Sequence, residues 1–357
     1  MHTVRRALRA AAAAVRSLFA LPPGPGPRHW IALRAAASMG IPLAVMTALG
    51  RPDLGLQAST GAFLALFCAG LGAAERARVL PVVGAVLFGC AVLGTALAPW
   101  HLLTAVGLVV VAIGVSAFAF GSRLGPPGPV FFVLMFGLSG TITGLRDGVR
   151  ATDPAVFLSA LGAGLLFSYV LALLPLLRRA ERAKPVRPFR ELLPRLWLGV
   201  GEQQLVLRVA LVAALGTLIS VIWLDPLRAY WTVTAGVAVV GLSAVRSHSL
   251  ARGVHRTAGT LLGAGLYLLI APLGEHTWVF VLLLAALQFL IELVVVRNYA
   301  FALVFITPLV LLITAAATGG GDRFATAGER VLDTAVGSAL AVLSALVHRP
   351  PRAAAER

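Results

Sequence analysis

Apolar stretches of about 20 residues recur along almost the whole chain, at 31–49, 56–73, 79–98, 102–121, 128–145, 155–177, 209–224, 230–246, 255–272, 277–296, 299–317 and 331–347. Short loops rich in Pro, Gly, Arg or Asp separate them. A helix of that length crosses the roughly 30 Å hydrocarbon layer of a bilayer, and in lipid a backbone must satisfy its own hydrogen bonds. The pattern predicts an all-α polytopic membrane protein of about 12 transmembrane helices. Composition agrees, with 59% hydrophobic and 12% charged residues and a mean hydropathy of +0.91.

A net charge of +16 on a soluble chain would suggest nucleic acid. Here its placement decides otherwise. All but six of the 30 basic residues fall in alternate segments that share one side; Arg51, Arg146, Arg150, Arg228, Arg323 and Arg330 are left for the other. This is the positive-inside bias. The charge therefore reports topology and contact with anionic headgroups, in an inner (plasma) membrane with both termini cytoplasmic, and nucleic acid is not an expected partner. Trp30, Trp100, Trp223, Trp231 and Trp278 fall at span ends, as an interfacial belt requires.

The expected divisions are a basic amphipathic helix and Pro/Gly linker over 1–29, a first membrane repeat over 30–177, a basic linker over 178–207 with one interfacial helix near Trp197, a second repeat over 208–348, and a tail over 349–357. Displaced by 174 residues, Arg34 falls on Arg208, Thr60 on Thr234 and Leu87-Phe88-Gly89 on Leu261-Leu262-Gly263. Six spans per copy, an even number, predict two parallel six-helix repeats.

The most distinctive stretch runs from Tyr230 to Gly265, read as two spans joined by a basic turn bearing Arg246, Arg252, His255 and Arg256. Tyr230-Trp231-Thr232 opens it, Arg256-Thr-Ala-Gly-Thr-Leu-Leu-Gly starts its second helix, Arg297-Asn298-Tyr299 leads to Phe305-Ile-Thr-Pro308, and Glu329-Arg-Val-Leu-Asp333-Thr-Ala-Val-Gly337 opens the last span. On these four elements the second half resembles the FUSC (fusaric acid resistance protein-like) family and the related aromatic acid exporters. The first half departs from the pattern, with Leu56-Gln57, Pro81-Val-Val-Gly84 and Ser159-Ala-Leu-Gly162 at the corresponding places. The resemblance implies export of small, often aromatic, organic acids driven by the proton gradient. A similarity of the wider superfamily to plant aluminium-activated malate channels makes a passive anion channel the alternative, and a scaffold or envelope-assembly protein without transport is a third reading.

Several residues have both a structural and a functional reading. Arg256 and His255 either mark the membrane face or hold a carboxylate at the mouth of an anion pathway, with Thr260 one turn deeper. Gly259 and Gly263 form a small-x-x-x-small packing face. Arg34 and Arg208 snorkel to headgroups or form a quasi-symmetric cationic ring, and with Arg256 they would attract a carboxylate at the cytoplasmic face. Glu292 interrupts an apolar helix, so it pairs with Arg297 or Arg256 or carries a coupled proton, with Gln288 beside it. Asp333 is a first-turn aspartate three residues from Arg330, or a second coupling acid. Thr307-Pro308 breaks its span or merely kinks it. Tyr230 and Trp231 belong to the aromatic belt or stack on an aromatic solute.

No catalytic constellation occurs. A nucleophile elbow, a Gly-rich phosphate loop and a metal-ligand spacing around Cys68, Cys90, His248 or His255 are all missing from the sequence, so neither enzyme, cofactor nor metal is expected. The expected partners are the bilayer, a small organic anion and further copies of the chain. Secondary export of organic acids is the expected function.

Overall fold

The computed structural model describes residues 12–20, 22, 26–243 and 245–346. Residues 12–17 are helical (α1); positions 3–11 of the amphipathic helix expected over 3–20, and the tail from 349, lie outside the described residues. The chain then forms α2 (His29–Ala48), α3 (Pro52–Ser59) with a 3-10 continuation (Thr60–Leu66), α4 (Ala73–Leu97), α5 (His101–Gly121), α6 (Val130–Ile142) and α7 (Pro154–Leu173). After the short linker helices α8 (Arg179–Arg182) and α9 (Phe189–Leu192) come α10 (Val200–Trp223), α11 (Ala229–Val240), α12 (Arg246–Ile270), α13 (Thr277–Val294), α14 (Tyr299–Thr318) and α15 (Arg323–Ser344). Eight of these, α2, α4, α5, α7, α10, α12, α13 and α14, are long and apolar enough to cross a membrane. The protein is an all-α polytopic membrane protein.

Four of the twelve expected spans come out differently. The stretches 56–73, 128–145 and 230–246 hold α3 with its 3-10 turn, α6 and α11, all short. At about 1.5 Å per residue the 12-residue α11 rises only about 18 Å. Hydropathy overestimates it because the sequence that follows, Gly-Leu-Ser-Ala-Val at 241–245, is itself apolar. A short helix is tolerated at membrane depth when protein rather than lipid surrounds its ends. Every residue of α11 is buried, among α6, α10, α12 and α15. The fourth, over 331–347, is long enough as α15, but Arg323, Glu329, Arg330 and Asp333 make it polar.

Element bounds recur at the 174-residue offset: α2 falls on α10, α3 and its 3-10 turn on Pro226–Arg228 and α11, α4 on α12, α5 on α13, α6 on α14 and α7 on α15. Packing partners recur as well. α12 packs on α14 as α4 does on α6, and α11 on α15 as α3 does on α7. The two halves interlock, α2 lying against α13 and α5 against α10.

The expected basic turn is mostly helix. The described residues 241–243 and 245 lie outside the helices, in a stretch entered through Gly241 at φ 60°, and Arg252, His255 and Arg256 lie on α12. Arginine is a good helix former, and these side chains find partners inside the bundle. The linker also departs from expectation. It forms no helix at Trp197, where Pro194 and Gly199 flank extended chain and the Trp197 amide donates to the Gly121 carbonyl at 3.2 Å. At the other end of the bundle, Asp147 and Gly148, both at positive φ, turn a two-residue hairpin (Leu145–Arg146 with Val149–Arg150). Asp-Gly suits that turn because both positions need φ above zero. Arg146 then donates to the Ala317 and Thr318 carbonyls at 3.2 and 3.3 Å, tying the halves together.

Candidate functional site

Trp231 separates from the other tryptophans of the expected belt. Trp30, Trp100, Trp223 and Trp278 are exposed, Trp223 at 71%, whereas Trp231 is 1% exposed. Being on α11, it is carried into the bundle together with Tyr230. Tyr230 packs on the bare face of Gly137 of α6 and meets the Trp231 ring edge-on at 6.1 Å. Both residues are therefore interior, not interfacial.

The Arg330 guanidinium lies 4.9 Å over the Trp231 ring. Arg330 is 4% exposed and Arg256 5%. Arg256 approaches from α12, donating from Nη1 to the Tyr299 hydroxyl at 2.5 Å, and the Arg252 guanidinium stacks on the same tyrosine ring at 4.3 Å. Arg256 and Arg330 are close enough to feel each other's charge. Arg256 sits ten residues into α12 and Arg330 seven into α15, about 15 and 10 Å from opposite ends of antiparallel helices. They meet at depth.

Asp333, one turn beyond Arg330, is the acid of the cluster. Its Oδ1 accepts from the Thr232 hydroxyl at 3.3 Å, and Oδ2 is 3.5 Å from Arg228 Nε. Arg228 also pairs with Glu329 and with Asp225 at 3.4 Å. Among the described residues, Arg256 Nε, Arg330 Nε and Nη1, and the Trp231 indole N–H have no hydrogen-bond partner. A buried unsatisfied donor costs about 1–3 kcal/mol, more when charged. Arg330 and the Trp231 indole N–H thus lie together, and Arg256 lies beside the Tyr299 ring on the neighbouring helices, each with donors unused. Chemically this suits a carboxylate attached to an aromatic body, with bidentate N–H donation at one end and ring stacking at the other.

The remaining expected residues lie elsewhere. Glu292 pairs neither with Arg297 nor with Arg256. Arg28 donates to it from Nη2 at 3.0 Å, and from Nε to the Glu292 backbone carbonyl at 2.9 Å, across the seam of α13 with α2. Arg208 is buried among α10, α12 and α15, donating to Ser249 at 2.8 Å, Ser344 at 3.2 Å and the Ala341 carbonyl at 3.3 Å. Arg34 reaches the Ala65 carbonyl at 3.5 Å in the first half. Arg34, Arg208 and Arg256 therefore occupy three separate environments and form no ring. His255 lies 2.7 Å from the Ser17 hydroxyl, under the N-terminal segment. Thr260 is buried one turn beyond Arg256. Thr307 fills the space left by Gly263, and α14 runs unbroken through Pro308, so the expected polar break there does not form. Gly259 lies against the Ala300 carbonyl and Leu303, so both small residues of that face serve close α12–α14 packing.

Sequence reasoning paired Arg330 with Asp333 but placed it outside, and it passed over Tyr299, Arg252, Arg228 and Arg28 as site or pairing residues. The spacing Arg330-x-x-Asp333 puts both on one helical face, which is the signal that could have drawn Arg330 into the site.

The Arg28–Glu292 pair has a stability consequence. Both side chains are largely buried, and removing one partner of such a pair costs about 3–5 kcal/mol because a charge is stranded. Glu292→Gln is expected to lower the thermal midpoint of the detergent-purified protein, and the double change Arg28→Met with Glu292→Met to recover much of it. An unchanged midpoint in the single variant would show that the pair holds nothing together.

Residues 210–344 match the family described as fusaric acid resistance protein-like. An uncharacterized membrane protein, YvaC, of Bacillus subtilis (strain 168) is 36% identical over 123 residues, 34% of this chain. The matched stretch spans 19% of that relative's length. No solved structure matches the chain. All four motif elements, from Tyr230 to Gly337, and every residue of the Trp231–Arg256–Arg330–Asp333 cluster fall inside the matched range, so residues 210–344 carry the fusaric acid resistance protein-like segment of this chain.

Proposed function

We propose that the protein exports small organic acids, aromatic carboxylates foremost, and that Arg256 and Arg330 bind the carboxylate while Trp231 and Tyr299 face the ring. The observation that carries this reading is the pair of buried guanidiniums with unused donors at mid-bundle. In this reading the end bearing the linker and most of the basic residues is cytoplasmic. The two six-element halves act as a duplicated unit that differs at the cluster: the positions matching Arg256, Arg330 and Asp333 in the first half are Val82, Val156 and Ser159.

The energetics favour the electrical part of the proton-motive force. An inside-negative potential drives a monovalent anion outward with about 2.3 kcal/mol per 100 mV. A bound anion makes a neighbouring carboxyl hold its proton more readily, so protonation of Asp333 favours anion binding. The potential drives export because that proton stays on Asp333 and only the anion's charge crosses. Asp333 is thus a titratable gate on binding, and Glu292, engaged with Arg28, is outside the coupling. Between the halves lies a small cavity of about 20 Å³ lined by Phe63, Leu134, Leu138, Tyr230, Trp231, Val310, Ile313 and Thr314.

Proteoliposomes loaded with a labelled aromatic carboxylate provide the test. A potassium diffusion potential, negative on the side corresponding to the cytoplasm, is expected to drive efflux without any pH gradient, and Asp333→Asn to flatten the pH dependence of binding. Absence of flux for a panel of aromatic acids and dicarboxylates would overturn the reading, and unitary currents in planar bilayers would replace the carrier with a channel.

A further inference from the structure

The linker between the halves is strapped down at two points. Near one end Arg187 forms a two-pronged pair with Glu75 of α4, at 2.7 and 3.2 Å, and its carbonyl accepts from Arg78 at 2.9 Å. Ten residues on, the Trp197 amide is held by the Gly121 carbonyl at the end of α5. Gly121 permits this approach, since a Cβ there would meet Leu196 at 3.1 Å and Leu198 at 3.2 Å. Between the straps the chain arches over the cytoplasmic ends of α4 and α5, leaving a cavity of about 640 Å³. Its walls are Val82, Phe118, Phe189 and Leu193, and Arg190 and Arg195 line it as well.

These two arginines are uncommitted. Among the described residues neither has a carboxylate within ion-pair distance, unlike Arg187 and Lys184 on the same linker. From 178 to 198 the linker carries seven basic and two acidic residues. Beside the cavity, Phe189, Leu196 and Trp197 are exposed, Trp197 at 76%, on a segment that caps one end of the bundle. Exposed aromatic side chains at a bundle end belong in the membrane interface. An apolar cavity of several hundred Å³ is the size of a small-molecule site. Basic pockets between transmembrane helices on the cytoplasmic side suit anionic lipid headgroups.

We infer that this cavity is a binding site for an anionic phospholipid, an acyl chain lying along Val82, Phe118 and Leu193 and the phosphate held by Arg190 and Arg195. The site is on the first half and the linker, independent of the Arg256–Arg330 cluster. Occupancy would join the linker to α4 and α5 through a ligand as well as through its two straps.

Native mass spectrometry of the full-length protein, titrated with phosphatidylglycerol or with phosphatidylcholine of the same chains, tests the inference. Wild type is expected to retain phosphatidylglycerol at least tenfold better. Arg190→Ala with Arg195→Ala should reduce that preference to within twofold, while Arg178→Ala with Arg179→Ala, equally exposed on the same linker, keeps it. Val82→Phe, which fills the cavity and leaves the charges in place, should weaken retention of phosphatidylglycerol at least fivefold. Unchanged preference in the Arg190/Arg195 variant, equal loss in the Arg178/Arg179 control, or full retention in Val82→Phe would overturn the inference. So would displacement of the lipid by glycerol phosphate, which has the anionic group without chains and would identify a site for soluble anions.

Discussion

Arg330→Met is expected to abolish potential-driven efflux of an aromatic carboxylate while leaving the thermal midpoint of the unliganded protein undiminished. Loss of a buried guanidinium that holds a carboxylate costs about 2–4 kcal/mol, roughly 30- to 1,000-fold in apparent affinity. Stability moves the other way because of how Arg330 is housed. Its Nε and Nη1 lack partners, and Arg256 presents a like charge nearby. Asp333 keeps Arg228 and Thr232 when Arg330 is gone. Methionine replaces the inner part of the side chain with an uncharged, flexible one and packs on the Trp231 ring through its polarizable sulfur. A residue retained for structure should behave in the opposite way, like Glu292, whose loss strands Arg28. Efflux and thermal unfolding measured on one preparation separate the cases. A fall of the midpoint with transport intact would remove Arg330 from the site and return it to the frame.

Hydropathy found the eight long helices because a lipid-facing helix has to be apolar over its whole length. It misread α11 for a related reason. A helix buried on all sides by protein is as apolar as one bathed in lipid, and only its 12-residue length, hidden by the apolar sequence that follows it, separates them. From that error followed the placing of Trp231 in the interface and of Arg252, His255 and Arg256 in a loop. Local sequence also cannot distinguish an arginine in water from one lying against a tyrosine 43 positions away, which is how Arg256 meets Tyr299. The Arg28–Glu292 pair spans 264 positions and depends wholly on α2 packing against α13. The small-residue face of Gly259 and Gly263 was legible, because spacing by four on a helix decides who can approach whom without reference to the partner.

That rule gives the second large effect, at Gly337. Helices in lipid gain little from burying apolar surface against one another, so close packing through small residues holds them. α11 meets α15 through Gly236 and Gly337, backbone against backbone. A Cβ at Gly337 would run into the Thr232 carbonyl and come within 3.0 Å of the Gly236 nitrogen, and neither is a side chain that can turn aside. Gly337→Leu must therefore push α15 away from α11, at about 3 kcal/mol or more, a large part of the 5–15 kcal/mol that holds a typical fold. The same displacement pulls Asp333, one turn away, from Thr232 and Arg330 from Trp231, so binding fails even in molecules that insert. Gly328 on the same helix is the control. A Cβ there meets nothing within 4 Å, and Gly328→Ala should raise helix stability by up to about 1 kcal/mol. Yield of monodisperse protein and thermal midpoint are the measurements. Gly337→Leu matching wild type in both would mean that α11 and α15 are not held together as a backbone contact, and the site built across them would have to be abandoned with it.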